Sequence, residues 1–148
     1  ETGMIHAVQQ AAKEKPFLGI CMGLQVLMTH SDENEGIKCM DVIPGNVKHF
    51  DFPENSPLKT PHMGWNQIKQ TQEHALWHNI AQDSRFYFVH SYYVQPENTD
   101  YICGLTTHGI TFPSALSHNN LFSIQAHPEK SADHGLQLFK NFLQWNGQ

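Results

Sequence analysis

Cys21 stands in the pentapeptide Gly19-Ile20-Cys21-Met22-Gly23, a G-x-C-x-G pattern. Between a strand and a helix, such a pattern is the cysteine form of a nucleophile elbow. Glycines on both sides leave room for a sharp, strained turn that lifts the sulfur above the end of a sheet. A helix starting at Met22 favours the thiolate through its free N–H groups and partial positive charge. The Met22 N–H is then placed to donate to a developing oxyanion. The alternative is a buried structural cysteine in a glycine-rich turn.

A cysteine nucleophile needs a base, and the base needs a group that orients it. His127-Pro128-Glu129 offers both, two residues apart. Proline stiffens the link, so imidazole and carboxylate can be held in one geometry. His127 would take the thiol proton and return it to the leaving group, while Glu129 holds the ring and stabilises its cation. Taken alone, this tripeptide reads better as a capped helix start with a surface histidine.

These residues must be positioned by the elements around them. A helix capped by Thr2 runs to about Glu14, with Ile5, Val8 and Ala12 as its apolar stripe, and Pro16 ends it. Phe17 to Ile20 is a short apolar run that suits a buried parallel strand. A second helix is expected from Met22 to about His30, followed by a polar, acidic loop from Ser31 to Gly36. Ile37 to Phe50 suggests extended segments broken at Pro44-Gly45, and the proline-rich stretch from Asp51 to Pro61 is a loop. Asn66 to Gln70 and Arg85 to His90 read as strands, with a helical turn or two from Ala75 to Ile80 between them. Tyr101 to Thr106, Phe112 to Ser117 and Leu121 to Gln125 follow at hairpin-like spacing. A final helix is expected from Ser131 to Trp145, with Leu136, Phe139, Phe142 and Leu143 on one face. The order specifies an α/β domain with a mixed sheet.

Composition narrows the function classes. A chain of 148 residues and 16.9 kDa fits one domain with a substantial core. The net charge of −5 and the lack of any basic run argue against a nucleic-acid partner. The apolar stretch from Phe17 to Met28 is too short and too polar to span a membrane. The first residues show no basic region or apolar signal core. Three widely spaced cysteines, with no CxxC pair, support neither a disulfide framework nor a cysteine zinc site, so a cytoplasmic location is expected. Eleven histidines invite a metal reading. Only His74 and His78 have the i, i+4 spacing of helical ligands, without an HExxH pattern or a third ligand. A solvated helix face is the better reading, and no metal is expected. His6, His30, His49, His108, His118 and His134 read as surface or loop residues.

Four segments together carry a family resemblance. Phe17-Leu18-Gly19-Ile20-Cys21-Met22-Gly23-Leu24-Gln25 and Gln125-Ala126-His127-Pro128-Glu129-Lys130-Ser131 resemble the class I (triad) glutamine amidotransferases. Pro61-His62-Met63-Gly64-Trp65-Asn66 and Phe86-Tyr87-Phe88-Val89-His90-Ser91-Tyr92-Tyr93 look like the glutaminase subunits of imidazole glycerol phosphate synthases, the enzymes of histidine biosynthesis. The resemblance implies the flavodoxin-like, three-layer fold of that class with a mixed sheet. It implies a Cys21–His127–Glu129 triad that hydrolyses glutamine without a cofactor, with Gln25, Ser91 and Tyr92 beside the substrate. The partner implied is a (β/α)₈-barrel cyclase subunit that takes the ammonia to make imidazole glycerol phosphate and an aminoimidazole carboxamide ribotide. Trp65, Tyr87 and Lys130 match positions near that partner, and His62 and His90 line the site or the partner face. Rival readings are another triad amidotransferase, a non-catalytic docking module and a zinc-binding domain.

The match begins part-way into the family pattern. Two or more βα units of about 30 residues each, and the Pro-Gly-Val-Gly type loop that supplies a second oxyanion N–H, have no counterpart before Cys21. Pro44-Gly45-Asn46-Val47 is a faint likeness in the wrong order. The sequence is therefore expected to be a domain incomplete at its N-terminus and to have little activity alone. It would depend on self-association, strand exchange or another chain for stability.

Overall fold

The computed structural model describes residues 3–148, so the expected Thr2 cap lies outside it. Helix α1 (Met4–Glu14) leads into strand β1 (Phe17–Ile20) and a short helix α2 (Met22–Gln25). Strands β2 (His30–Ser31), β3 (Ile37–Lys38), β4 (Gly45–His49), β5 (His62–Gln67), β6 (Lys69–Gln70), β7 (Arg85–His90) and β8 (Tyr92–Pro96) follow. The chain ends with β9 (Ile102–His108), β10 (Ile110–His118), β11 (Leu121–Ile124) and helix α3 (Ala132–Gln144). Among the described residues no helix is long and apolar enough to cross a membrane.

The central sheet has the order β1-β11-β10-β9-β6. The β1–β11 pair is parallel, and the β9, β10 and β11 ladders are antiparallel, which makes the expected mixed sheet. Two smaller sheets, β3-β2-β4-β8 and β5-β7, complete the architecture. Neighbouring residues of the central strands feed different cores. Ala115 and Phe122 pack with Phe50, Phe86, Phe88 and Phe112. Leu116 and Leu121 pack with Leu24, Leu27, Met28 and Val47. This alternation is what a strand buried on both faces must show, and it yields the α/β layering expected.

Several elements differ from expectation. Helix α2 stops at Gln25 rather than near His30 because the next carbonyls are taken by another segment. Val26, Leu27 and Met28 accept backbone bonds from Met40, Val42, Ile43 and Asp41 at 2.8–2.9 Å. Strand β5 starts at His62, four residues early, and β8 falls in a stretch given no assignment. In α1 the stripe is partial, with Ala12 buried and Ile5 58% exposed. In α3 it is rotated: Leu136 and Leu143 are exposed, while Gly135, Leu138 and Asn141 face inward.

Candidate active site

Cys21 follows β1 directly, and its N–H donates to Ile124 O at the end of β11 (2.8 Å). Ile20 is in register with Ile124. The residues after each strand therefore emerge at the same carboxyl edge, where sites collect in α/β folds. From β1 comes Cys21; from β11 come Gln125, Ala126 and His127. The elbow is strained as expected, with Cys21 at φ +50°. Gly19 is required by close approach: a Cβ there would sit 2.8 Å from Gly23 O and 3.0 Å from the Ser123 Cβ. Gly23 differs from expectation, since a Cβ on it meets nothing within 4 Å.

The thiol is half-buried, and burial, the largest influence, raises its pKa above the usual value. The Met22 N–H and the Gln125 amide act against that rise, and the charges on Glu129 and Lys130 oppose one another. The Met22 N–H favours the thiolate as expected, but the turn alone does not outweigh burial. A four-residue helix brings little dipole, and desolvation of the sulfur prevails. A base is needed.

His127 has the features of one. Its Nδ1 lies 2.6 Å from Glu129 Oε1. Its Nε2 is buried and has no hydrogen-bond partner among the described residues. The His127 N–H is held by Tyr87 O (2.8 Å), and Ser131 Oγ donates to His127 O (2.6 Å). Beside Cys21 lies a cavity of about 310 Å³ lined by Met22, Gln25, Glu33, Val89, Ser91 and Tyr92 among others. Gln25, Ser91 and Tyr92 thus share one hollow with the thiol.

Two contributors were not singled out from the sequence. Glu33 lies in the acidic loop and lines the same cavity, bringing a negative charge to it; a run of three acidic residues in five gave no sign of facing inward. Gln125 was quoted only as part of a motif, yet its fully buried amide donates to Cys21 Sγ at 3.7 Å. His62 and His90 are also buried, and His90 lines the cavity. His90 Nδ1 donates to Tyr92 O (2.7 Å), so its Nε2 accepts from His62 Nδ1 (2.9 Å). The remaining nitrogen, His62 Nε2, accepts from Asn66 Nδ2 (3.1 Å). This directed chain needs both rings neutral. Burial lowers their pKa values to about 3 and about 4. His108, expected on the surface, stacks on His62 with centroids 4.2 Å apart.

Trp65 and Tyr87 are cross-strand partners in β5 and β7, with ring centroids 6.1 Å apart. Lys130 Nζ is 5.9 Å from the Tyr87 centroid. Trp65 is 45% exposed, so these three make one surface patch rather than core packing. His74 and His78 flank a short 3₁₀ helix instead of lying on one helical face. His74 Nδ1 accepts from the Leu76 N–H.

Residues 1–145 match the family model for glutamine amidotransferase class-I. The chain belongs to the class-I glutamine amidotransferases. Its relatives include the imidazole glycerol phosphate synthase subunit HisH of Hydrogenovibrio crunogenus, 68% identical across the whole chain and 70% of that protein. The subunit HisH of Nitrosococcus oceani is 51% identical over 95% of the chain and 66% of its own length. Among solved structures, the acivicin-bound glutaminase domain of Trypanosoma brucei CTPS superposes with a TM-score of 0.61 at 16% identity, over 96% of this chain and 66% of that one. A glutamine amidotransferase from Thermotoga maritima gives 0.58 at 16% identity, over 95% and 53%. The expected α/β amidotransferase fold is therefore the fold found.

Proposed function

We propose that this class-I glutamine amidotransferase is the glutaminase subunit of an imidazole glycerol phosphate synthase and works through Cys21, His127 and Glu129. The observation that carries the reading is that a strained Cys21, which lines one small cavity, and an acid-paired His127 emerge from the ends of two adjacent parallel strands.

In this mechanism Cys21 Sγ attacks the side-chain amide carbon of glutamine. Its proton passes to His127 Nε2, and Glu129 stabilises the resulting imidazolium. The Met22 N–H faces the developing oxyanion. His127 then protonates the departing nitrogen, which leaves as ammonia, and a γ-glutamyl thioester remains on Cys21. Water attacks the thioester, giving its proton to the same His127 nitrogen. Glutamate leaves and the sulfur recovers the proton. Gln25, Ser91 and Tyr92 position the substrate, and Glu33 supplies a counter-charge for its ammonium. The ammonia goes to a (β/α)₈-barrel cyclase subunit, with Trp65, Tyr87 and Lys130 on the docking face. The HisH relatives support this assignment over another triad amidotransferase.

The test is covalent labelling with a glutamine-derived electrophile, read by mass spectrometry. Labelling at Cys21 that is lost in His127→Ala supports the reading. Equal labelling of the His127→Ala variant, or none at Cys21, refutes it in favour of a non-catalytic docking module. Calorimetry with the barrel subunit tests the face: Trp65→Ala should weaken association about tenfold or more, as truncation of a buried interface aromatic does.

A further inference from the structure

The amide of Gln125 has both ends committed inside the protein, and its orientation is dictated by a group that cannot change role. Tyr92 O is a backbone carbonyl and can only accept. Gln25 therefore presents its Nε2 to it (3.0 Å). The same Gln25 Nε2 lies 3.1 Å from Gln125, so the facing atom of Gln125 must be its acceptor, Oε1. The other end, Nε2, is then forced toward Cys21 Sγ at 3.7 Å, an ordinary length for an N–H donated to sulfur. His90 Nδ1 donates to the same Tyr92 carbonyl, which fixes that anchor from a second side. Gln125 is 0% exposed, so no water competes for its hydrogens. Its backbone is pinned as well, through Gln125 N to Ser114 O (2.8 Å).

We propose that Gln125 is a further catalytic residue, whose amide N–H donates to the Cys21 sulfur and stabilises it as an anion, before attack and again when the thioester collapses. This rests on Cys21 being the nucleophile. A neutral amide suits the place. It can neither take the thiol proton from His127 nor add a charge beside Glu129. The Gln25 contact holds it rigid, so donation to the nascent thiolate costs no reorganisation. Gln25 consequently has two tasks: it lines the cavity, and it locks the donor that faces the sulfur.

The experiment is the pH profile of Cys21 alkylation by iodoacetamide, in a Cys39→Ser background because Cys39 is partly exposed whereas Cys103 is buried. Loss of a hydrogen bond to the charged form should move the midpoint upward by about one pH unit in Gln125→Met, or roughly tenfold slower alkylation at fixed pH below it. Gln125→Glu keeps the size and the acceptor for Gln25 but puts a carboxylate at the sulfur; its shift should be at least as large. Midpoints unchanged in both variants overturn the proposal. Should either variant fail to fold, the unsubstituted chain decides. With ¹⁵N-labelled glutamine, one side-chain amide must shift in step with thiol ionisation and must stop doing so in Cys21→Ala; no such amide overturns it. The readings fail separately. A shifted profile without labelling by the glutamine-derived electrophile refutes the glutaminase, and labelling with an unshifted profile refutes the role of Gln125.

Discussion

One carboxylate oxygen of Glu129 lies 2.6 Å from Nδ1 of His127, and the opposite nitrogen of that ring is buried without a partner among the described residues. The pair fixes the tautomer. Nδ1 carries the hydrogen given to the carboxylate, so Nε2 keeps its lone pair for the thiol proton. Glu129→Gln presents an amide at that point and can hold the ring in the wrong tautomer. Turnover of glutamine in complex with the barrel subunit should fall by about 10²–10⁴, the range for a lost general base, with little change in KM. Steady-state kinetics measure this, and an unchanged kcat would remove Glu129 from the triad.

The elbow makes a second, asymmetric prediction. Gly19→Ala places a methyl group 2.8 Å from the Gly23 carbonyl and 3.0 Å from the Ser123 Cβ. Backbone must move, at about 1–3 kcal/mol for such overpacking. Gly23→Ala meets open space inside a helical turn and should be neutral or up to about 1 kcal/mol stabilising through helix propensity. Urea unfolding of the two variants checks the contrast, and equal effects would show that the turn does not depend on this contact.

That contrast shows how far the sequence could be read. Local signals carried the strand before Cys21, the turn at it and the α/β order, because a short apolar run and proline or glycine punctuation are written in neighbouring residues. The proposed Cys21, His127 and Glu129 were legible only in combination, since His127-Pro128-Glu129 alone reads as a capped helix start. What the sequence hid was decided between distant segments. The crowding at Gly19 comes partly from Ser123, about a hundred residues away, beside the nearer Gly23 carbonyl. Helix α2 ends early because residues 40–43 take its next carbonyls. Glu33 points into the cavity through three successive left-handed residues, Asn34, Glu35 and Gly36, which place the loop but have no clear signature in composition.

Protonation should destabilise this protein in mild acid. His62 and His90 are neutral in the fold, with pKa values lowered to about 3 and about 4, and half-buried His74 is lowered to about 4, by burial. Their unfolded values lie near 6.5. Between roughly pH 6.5 and 4 the unfolded chain therefore binds more protons than the folded one, and stability falls as pH falls. Above pH 6.5 these rings contribute no slope. Denaturant midpoints from pH 7.5 to 5 should show uptake of about two to three protons on unfolding near pH 5. A flat profile would mean that the chain through His62 and His90 tolerates charge.

Helix α3 offers the clearest conflict between hydropathy and packing. Leu136 and Leu143 are 67% and 83% exposed, while Asn141 is 6% exposed. Its amide explains the inversion, because Nδ2 donates to Leu76 O (2.9 Å) and His78 O (2.7 Å). These carbonyls end the 3₁₀ turn at Ala75–Trp77 and would otherwise be left unpaired. Gln137 Nε2 in turn donates to Asn141 Oδ1 (2.8 Å). The buried face is also closed at Gly135, where a Cβ would fall 1.8 Å from Pro128 O. Only glycine lets α3 lie against the segment that carries His127 and Glu129. Asn141→Leu improves the hydropathy of the buried face yet strands two carbonyls, so it should cost about 1–3 kcal/mol. Leu143→Ser removes an exposed leucine and should lie within about 0.5 kcal/mol of the parent. If calorimetric melting ranks the two in the opposite order, the helix is seated on its leucine face, and the support it gives the His127 segment must be redrawn.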